Sequence, residues 1–96
     1  MKPPHLIDGA KVLEWAWSGD NPFGVVTTCT GEVAFKIYGL AICQYADDSV
    51  VYRFSCDNNW ETVQDDSYIS IDEAKEYLPA QYQCVKATWT CFDKTA

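Results

Sequence analysis

The stretch from Leu40 to Trp60, LAICQYADDSVVYRFSCDNNW, sets the tightest limit on what this chain can fold into. It holds two apolar runs, residues 40–45 and 50–56, joined by Ala46-Asp47-Asp48-Ser49. In the second run Val50, Tyr52, Phe54 and Cys56 alternate with Val51, Arg53, Ser55 and Asp57. That is the period of a strand with one face buried. Two such runs across a short polar link predict a β-hairpin. A second turn signal, Asp57-Asn58-Asn59, follows at once and leads into Trp60. The centre of the chain therefore reads as an antiparallel meander.

The flanking segments extend it. Residues 11–17, KVLEWAW, predict a strand with Leu13, Trp15 and Trp17 on one face and Val12, Glu14 and Ala16 on the other. Ser18 to Gly24 is a dense turn cluster. A short strand over 25–29 and a turn at Thr30-Gly31 lead into an apolar run over 32–45, too long for an average strand. Gly39 is expected to mark a bulge or bend within it. Residues 60–64 predict another strand, after which Asp65-Asp66-Ser67-Tyr68 is expected to leave the sheet.

Ser70 stands three residues before Glu73, the spacing of a capping box, in which side chains satisfy backbone N–H groups that the first helical turn leaves free. A helix follows with Ile71, Ala74 and Leu78 as its apolar stripe. It is expected to end near Leu78, because Pro79 disfavours helical geometry in the residue before it. Residues 84–91 predict a last strand, with Val85, Ala87, Trp89 and Cys91 inward and Lys86, Thr88 and Thr90 outward.

The expected fold is a single α+β domain over residues 1–96. It has an antiparallel meander of five to six strands with one α-helix on one face, in the order β-β-β-β-β-α-β. Its buried face is expected to combine Leu13, Trp15, Val50, Tyr52, Phe54, Val85, Ala87 and Trp89 with the helical stripe. Residues 1–9 and 93–96 read as flexible tails.

Composition narrows the function. No apolar run reaches the ~18 residues of a membrane span. The first residues, MKPPHLID, have no apolar core of a secretory signal, which leads us to expect a cytoplasmic protein. The five cysteines, Cys29, Cys43, Cys56, Cys84 and Cys91, show no C-x-x-C pair, and the single histidine is His5. That spacing is wrong for zinc, and the cysteines are expected to be mostly buried thiols acting as small hydrophobes. A nucleophilic triad needs a base that this chain barely supplies, and no Gly-rich phosphate loop occurs. Asp57, Asn59 and Glu61 alternate like the start of a calcium loop, but Thr62 and Tyr68 occupy the positions that need glycine and an acid. Residues 57–59 are therefore read as a turn, and no catalytic residue, metal or cofactor is expected.

Charge points to a partner. Fourteen acidic residues face seven basic ones, for a net charge of −7. The imbalance concentrates between Asp47 and Glu76, where Arg53 and Lys75 are the only bases. Phosphate binding needs the opposite sign, so nucleic acid is not an expected partner. An acidic surface favours a basic protein and speeds the encounter. The first expectation is thus a non-enzymatic protein-binding domain, of the kind of a toxin-neutralising immunity protein or an enzyme inhibitor. By layout it suggests small bacterial domains that act by binding another protein. Its candidate contact residues are Asp47, Asp48, Asp57, Glu61, Asp65 and Asp66, with Trp60 as an anchor. For Trp60 a place in the core is the favoured reading, because burial is the commoner use of a large aromatic, with the anchor role as its alternative. Two further expectations stand beside it. One is a small-ligand-binding or enzymatic domain with an aromatic pocket near Trp15, Trp17 and Trp89. The other is a structural homo-oligomer, such as a homodimer, built on an unpaired sheet edge or an exposed aromatic patch.

Overall fold

The computed structural model describes residues 1–92. The expected tail at 93–96 lies outside the described residues. The chain is mostly antiparallel sheet with one short helix. Strands β1 (Leu6–Ile7), β2 (Ala10–Trp17), β5 (Gly39–Gln44), β6 (Val51–Cys56) and β7 (Thr62–Tyr68) form the main sheet in the order β1-β2-β5-β6-β7, and β8 (Thr90–Cys91) pairs with β2. Strands β3 (Gly24–Thr27) and β4 (Val33–Ile37) form a separate two-stranded sheet. Helix α1 (Ile71–Glu76) and a 3-10 turn over Ala80–Tyr82 follow β7.

The hairpin β5–β6 sits at the centre, with Ala41 opposite Phe54 and Cys43 opposite Tyr52. The main sheet has two faces. On one, Val12, Ala41, Cys43, Phe54 and Cys56 lie under Trp15, Trp17, Tyr52, Trp60 and Phe92. On the other, Leu40 joins Ala16, Phe23, Ile37 and Tyr82, while Ile42 and Val51 join Ala74 of the helix. Both faces of β5 are therefore buried, and its apolar run is continuous because neither side meets water. Lys75 Nζ lies 2.6 Å from Glu14 Oε1, tying α1 to β2 as well.

Several expectations are corrected here. The expected single buried face is split, since Trp15, Tyr52 and Phe54 lie on one side of the sheet and Leu13, Val85, Ala87 and Trp89 on the other. The pairing of β2 shifts between Val12↔Cys43 and Glu14↔Ile42. Leu13 is the extra residue of this bulge, and it turns Val12 onto the same face as Trp15 and Trp17. The run over 32–45 is two strands in two sheets, divided at Tyr38. Its amide donates to the carbonyl of Cys56 and its carbonyl accepts from Ser18.

Asp65 to Tyr68 stay in the sheet as the second half of β7. Within 84–91 only Thr90 and Cys91 pair as a strand, although Val85, Ala87 and Trp89 are half-buried and their neighbours exposed. The alternation reflects an extended segment lying across the sheet rather than extending it. At the other end, the expected lead-in contains β1. Asp8 (φ 50°) and Gly9 (φ 82°) both adopt positive φ, the geometry of a two-residue hairpin turn, and set Ile7 against Ala10. Cys43 and Cys56 are buried, but Cys29, Cys84 and Cys91 are exposed, so the thiols are not mostly core residues.

Candidate functional site

The acidic candidates fall into separate groups. Asp47 and Asp48 lie in the β5–β6 turn, and Asp57, Trp60 and Glu61 in the β6–β7 turn. The six residues of β6 lie between the two turns, a separation of about 20 Å at strand rise. Asp65 and Asp66 lie along β7, opposite Phe54 and Arg53. Successive strand residues point to opposite faces. Asp65 therefore joins the aromatic face and Asp66 the helix-covered face. The hairpin β6–β7 brings Asp57, Glu61, Asp65 and Asp66 onto one element, and leaves Asp47 and Asp48 at the far end of β6.

Their carboxylates do different work. Asp57 Oδ1 accepts from the amides of Asn59 (2.8 Å) and Glu61 (3.0 Å), which holds the turn. Those bonds explain its place there without a ligand. Asp48 Oδ1 accepts from the amide of Val50 at 3.2 Å, and the Tyr52 hydroxyl donates to Asp48 Oδ2 at 3.4 Å. The Asp48 carboxylate beside it raises the pKa of Tyr52, because a second negative charge there is unfavourable. Asp47 (φ 64°) is exposed at the tip of the turn. Asp66 lies 3.7 Å from Arg53 Nη2 and is itself 64% exposed. Glu61 and Asp65 are exposed and have no cationic partner among the described residues.

Trp60 is a core residue. It is only 5% exposed, and its ring packs edge-on to Trp15 (6.2 Å, 89°) and tilted against Trp17 (5.4 Å). Trp17 in turn stacks on Tyr38 at 6.0 Å. Trp60 closes the aromatic face by lying flat over Gly39. It cannot act as an exposed anchor in this conformation. Trp89 packs on the other face with Ile42, Val51 and Ala74, so Trp15, Trp17 and Trp89 do not line one pocket.

Sequence reading missed Arg53 as a structural hub. Its guanidinium is 1% exposed, donates from Nη1 to the carbonyl of Ala74 at 2.7 Å and lies over the Tyr68 ring at 4.8 Å. The alternation puts Arg53 on the outward face with Val51 and Ser55, and all three are buried instead, because the helix side of β6 is covered as well as the aromatic side. The consequence of that burial is electrostatic. Arg53 is held inside, between the helix and Asp66, so the charge of Asp66 is partly offset while Asp65 and Glu61 have no cationic partner among the described residues. Beyond β7 no strand pairs among the described residues, and Gln64, Asp65, Asp66 and Ser67 are exposed.

Among the described residues no three His, Cys, Asp or Glu side chains converge as metal ligands, and no helix is long and apolar enough to cross a membrane. Comparison with protein-family models, with curated protein sequences and with solved structures finds no match.

Proposed function

We propose that this chain is a small, acidic, non-enzymatic protein-binding domain, and that its β6–β7 hairpin docks on a basic surface of another protein. An immunity protein or an enzyme inhibitor is the kind of molecule that fits. The observation that carries the reading is the open edge of β7. Asp65 and Asp66 sit on opposite faces of one edge strand, which pairs with β6 on its inner side only, Glu61 stands at its turn, and Arg53 is buried behind it. A free edge offers main-chain donors and acceptors to an added segment, and its side chains choose the partner. Here they choose cations. The acids also deter pairing between copies of β7, since like charges would meet.

The test is affinity capture from the source cells at low and physiological salt, using the unaltered chain and D65K/D66K. The expected result is one basic protein, held more tightly at low salt and lost with the charge reversal. A partner bound equally well by D65K/D66K at low salt would sink the reading, as would failure to capture any specific protein.

A further inference from the structure

Asp47 and Asp48 lie outside the β6–β7 hairpin, and the fold gives them neighbours of another kind. Leu6 pairs with Lys11, and Lys11 pairs with Gln44, across β1, β2 and β5. Their chain neighbours Ile7, Ala10, Val12 and Cys43 are buried on the aromatic face. Side chains alternate along a strand, so Leu6, Lys11 and Gln44 form one row on the opposite, helix-side face. Leu13, the extra residue of the β2 bulge, packs on that face as well. Gln44 Nε2 donates to the carbonyl of Asp48 at 3.0 Å and ties the β5–β6 turn to the row.

The row and the turn border an open cavity of about 310 Å³. Leu6 and Leu13 give it an apolar wall, and Lys11, Tyr45, Asp47 and Asp48 line it too. Leu6 is 47% exposed and Leu13 half-buried, so that wall is partly wet. Lys11 makes no ion pair with Asp47 or Asp48, although all three line the same cavity. Opposite charges therefore face one cavity without meeting across it.

That arrangement selects its occupant. A simple anion would be drawn to Lys11 and repelled by the two carboxylates, and a simple cation the reverse. A molecule with one charge of each sign is attracted at both ends. An aliphatic body between them would remove Leu6 and Leu13 from water at the same time. The volume stands at the low end of the ~300–1,000 Å³ of small-molecule sites, which suits a molecule the size of one residue.

We propose that this cavity binds a free zwitterionic α-amino acid with an aliphatic side chain. Its carboxylate meets Lys11, its ammonium meets Asp47 with the charge of Asp48 close by, and its side chain covers Leu6 and Leu13. The cavity lies at the end of β6 remote from Glu61, so the inference does not rest on the proposed contact of the β6–β7 hairpin with a protein.

Titration of the isotope-labelled chain with L-leucine at neutral pH, followed by two-dimensional NMR, tests it. Saturable amide shifts are expected at residues 6–13 and 44–48, with β7 unmoved. Isocaproate lacks the ammonium and isoamylamine lacks the carboxylate. Each is expected to bind about fivefold more weakly than leucine, the worth of one exposed ion pair. K11M is expected to weaken leucine by a similar factor without weakening isoamylamine. D47N is expected to weaken leucine without weakening isocaproate. Both side chains are exposed, and the same spectra show that each variant keeps its fold. The proposal is overturned if no saturable shift appears at those residues up to the solubility limit of leucine. It is equally overturned if leucine binds no more tightly than either half-ligand, or if K11M and D47N both bind it as the intact chain does.

Discussion

Arg53 reaches from the middle of β6 to the carbonyl of Ala74, 2.7 Å away, and so the one guanidinium buried in the sheet terminates part of the helix above it. A helix of six residues cannot hold itself in water and depends on such tertiary contacts. R53A would leave that carbonyl buried without a donor and open a void beneath α1. Urea unfolding should show a loss of about 2–4 kcal/mol. D66N removes only the exposed partner and should cost less than ~1 kcal/mol. Equal losses for the two variants would show that the surface pair, not the helix contact, is what matters.

Gly39 and Trp60 occupy the same space. A Cβ at Gly39 would lie 2.7 Å from Trp60 Cε3 and 2.8 Å from Cη2. G39A should therefore destabilise the protein by about 1–3 kcal/mol, the usual cost of overpacking. In a W60L background the same substitution should cost much less, because the ring is gone. A double-mutant cycle by thermal unfolding measures the coupling, and additive effects would contradict the contact.

Burial pushes the Cys43 and Cys56 thiols up to about 12, chiefly because an anion there would lose its water. Their ordinary value is 9.0, so the unfolded chain releases both protons near pH 9 while the folded protein keeps them. The stability they contribute is complete below pH 9 and declines as the pH rises towards 12, by about 1.4 kcal/mol per pH unit for each thiol. C43A/C56A should flatten that alkaline decline in a pH series of unfolding curves. In native protein a thiol reagent should modify Cys29, Cys84 and Cys91 quickly and reach Cys43 and Cys56 only on unfolding.

Ser70 Oγ accepts the amide of Glu73 at 3.1 Å and caps α1. S70A should cost about 1 kcal/mol, and S70D should retain most of the stability. Equal stability of S70A and the intact chain would show that packing of Ala74 alone sets the helix.

Ser70 and the strand β6 were legible because their signals are local. A hydroxyl three residues before an acid makes its bond within one turn, and alternation along Val51–Cys56 needs only the pleat of one strand. The hairpin turn at Asp8-Gly9 was equally local, but it lay hidden in a stretch with two prolines that read as a tail. The candidate site was legible only in part. The excess of acid was visible in the chain, but the position of each acid relative to the others depends on pairing. Asp65 and Asp66 look like turn residues until Phe54 and Arg53 are found opposite them.

By itself, then, the sequence determined the antiparallel centre and the capped helix, because each follows from the spacing of near neighbours, and the excess of acid, which is a matter of composition. Tertiary structure decided the rest. A single extra residue at Leu13 moved the tryptophans of β2 relative to Val12, and a bulge leaves no composition signal of its own. The same alternation serves a paired strand and an unpaired segment such as 85–89, since side-chain burial repeats every two residues in any extended chain. The division of residues 32–45 between two sheets came from Tyr38 bonding across to Cys56 and Ser18, contacts that no stretch of neighbouring residues encodes.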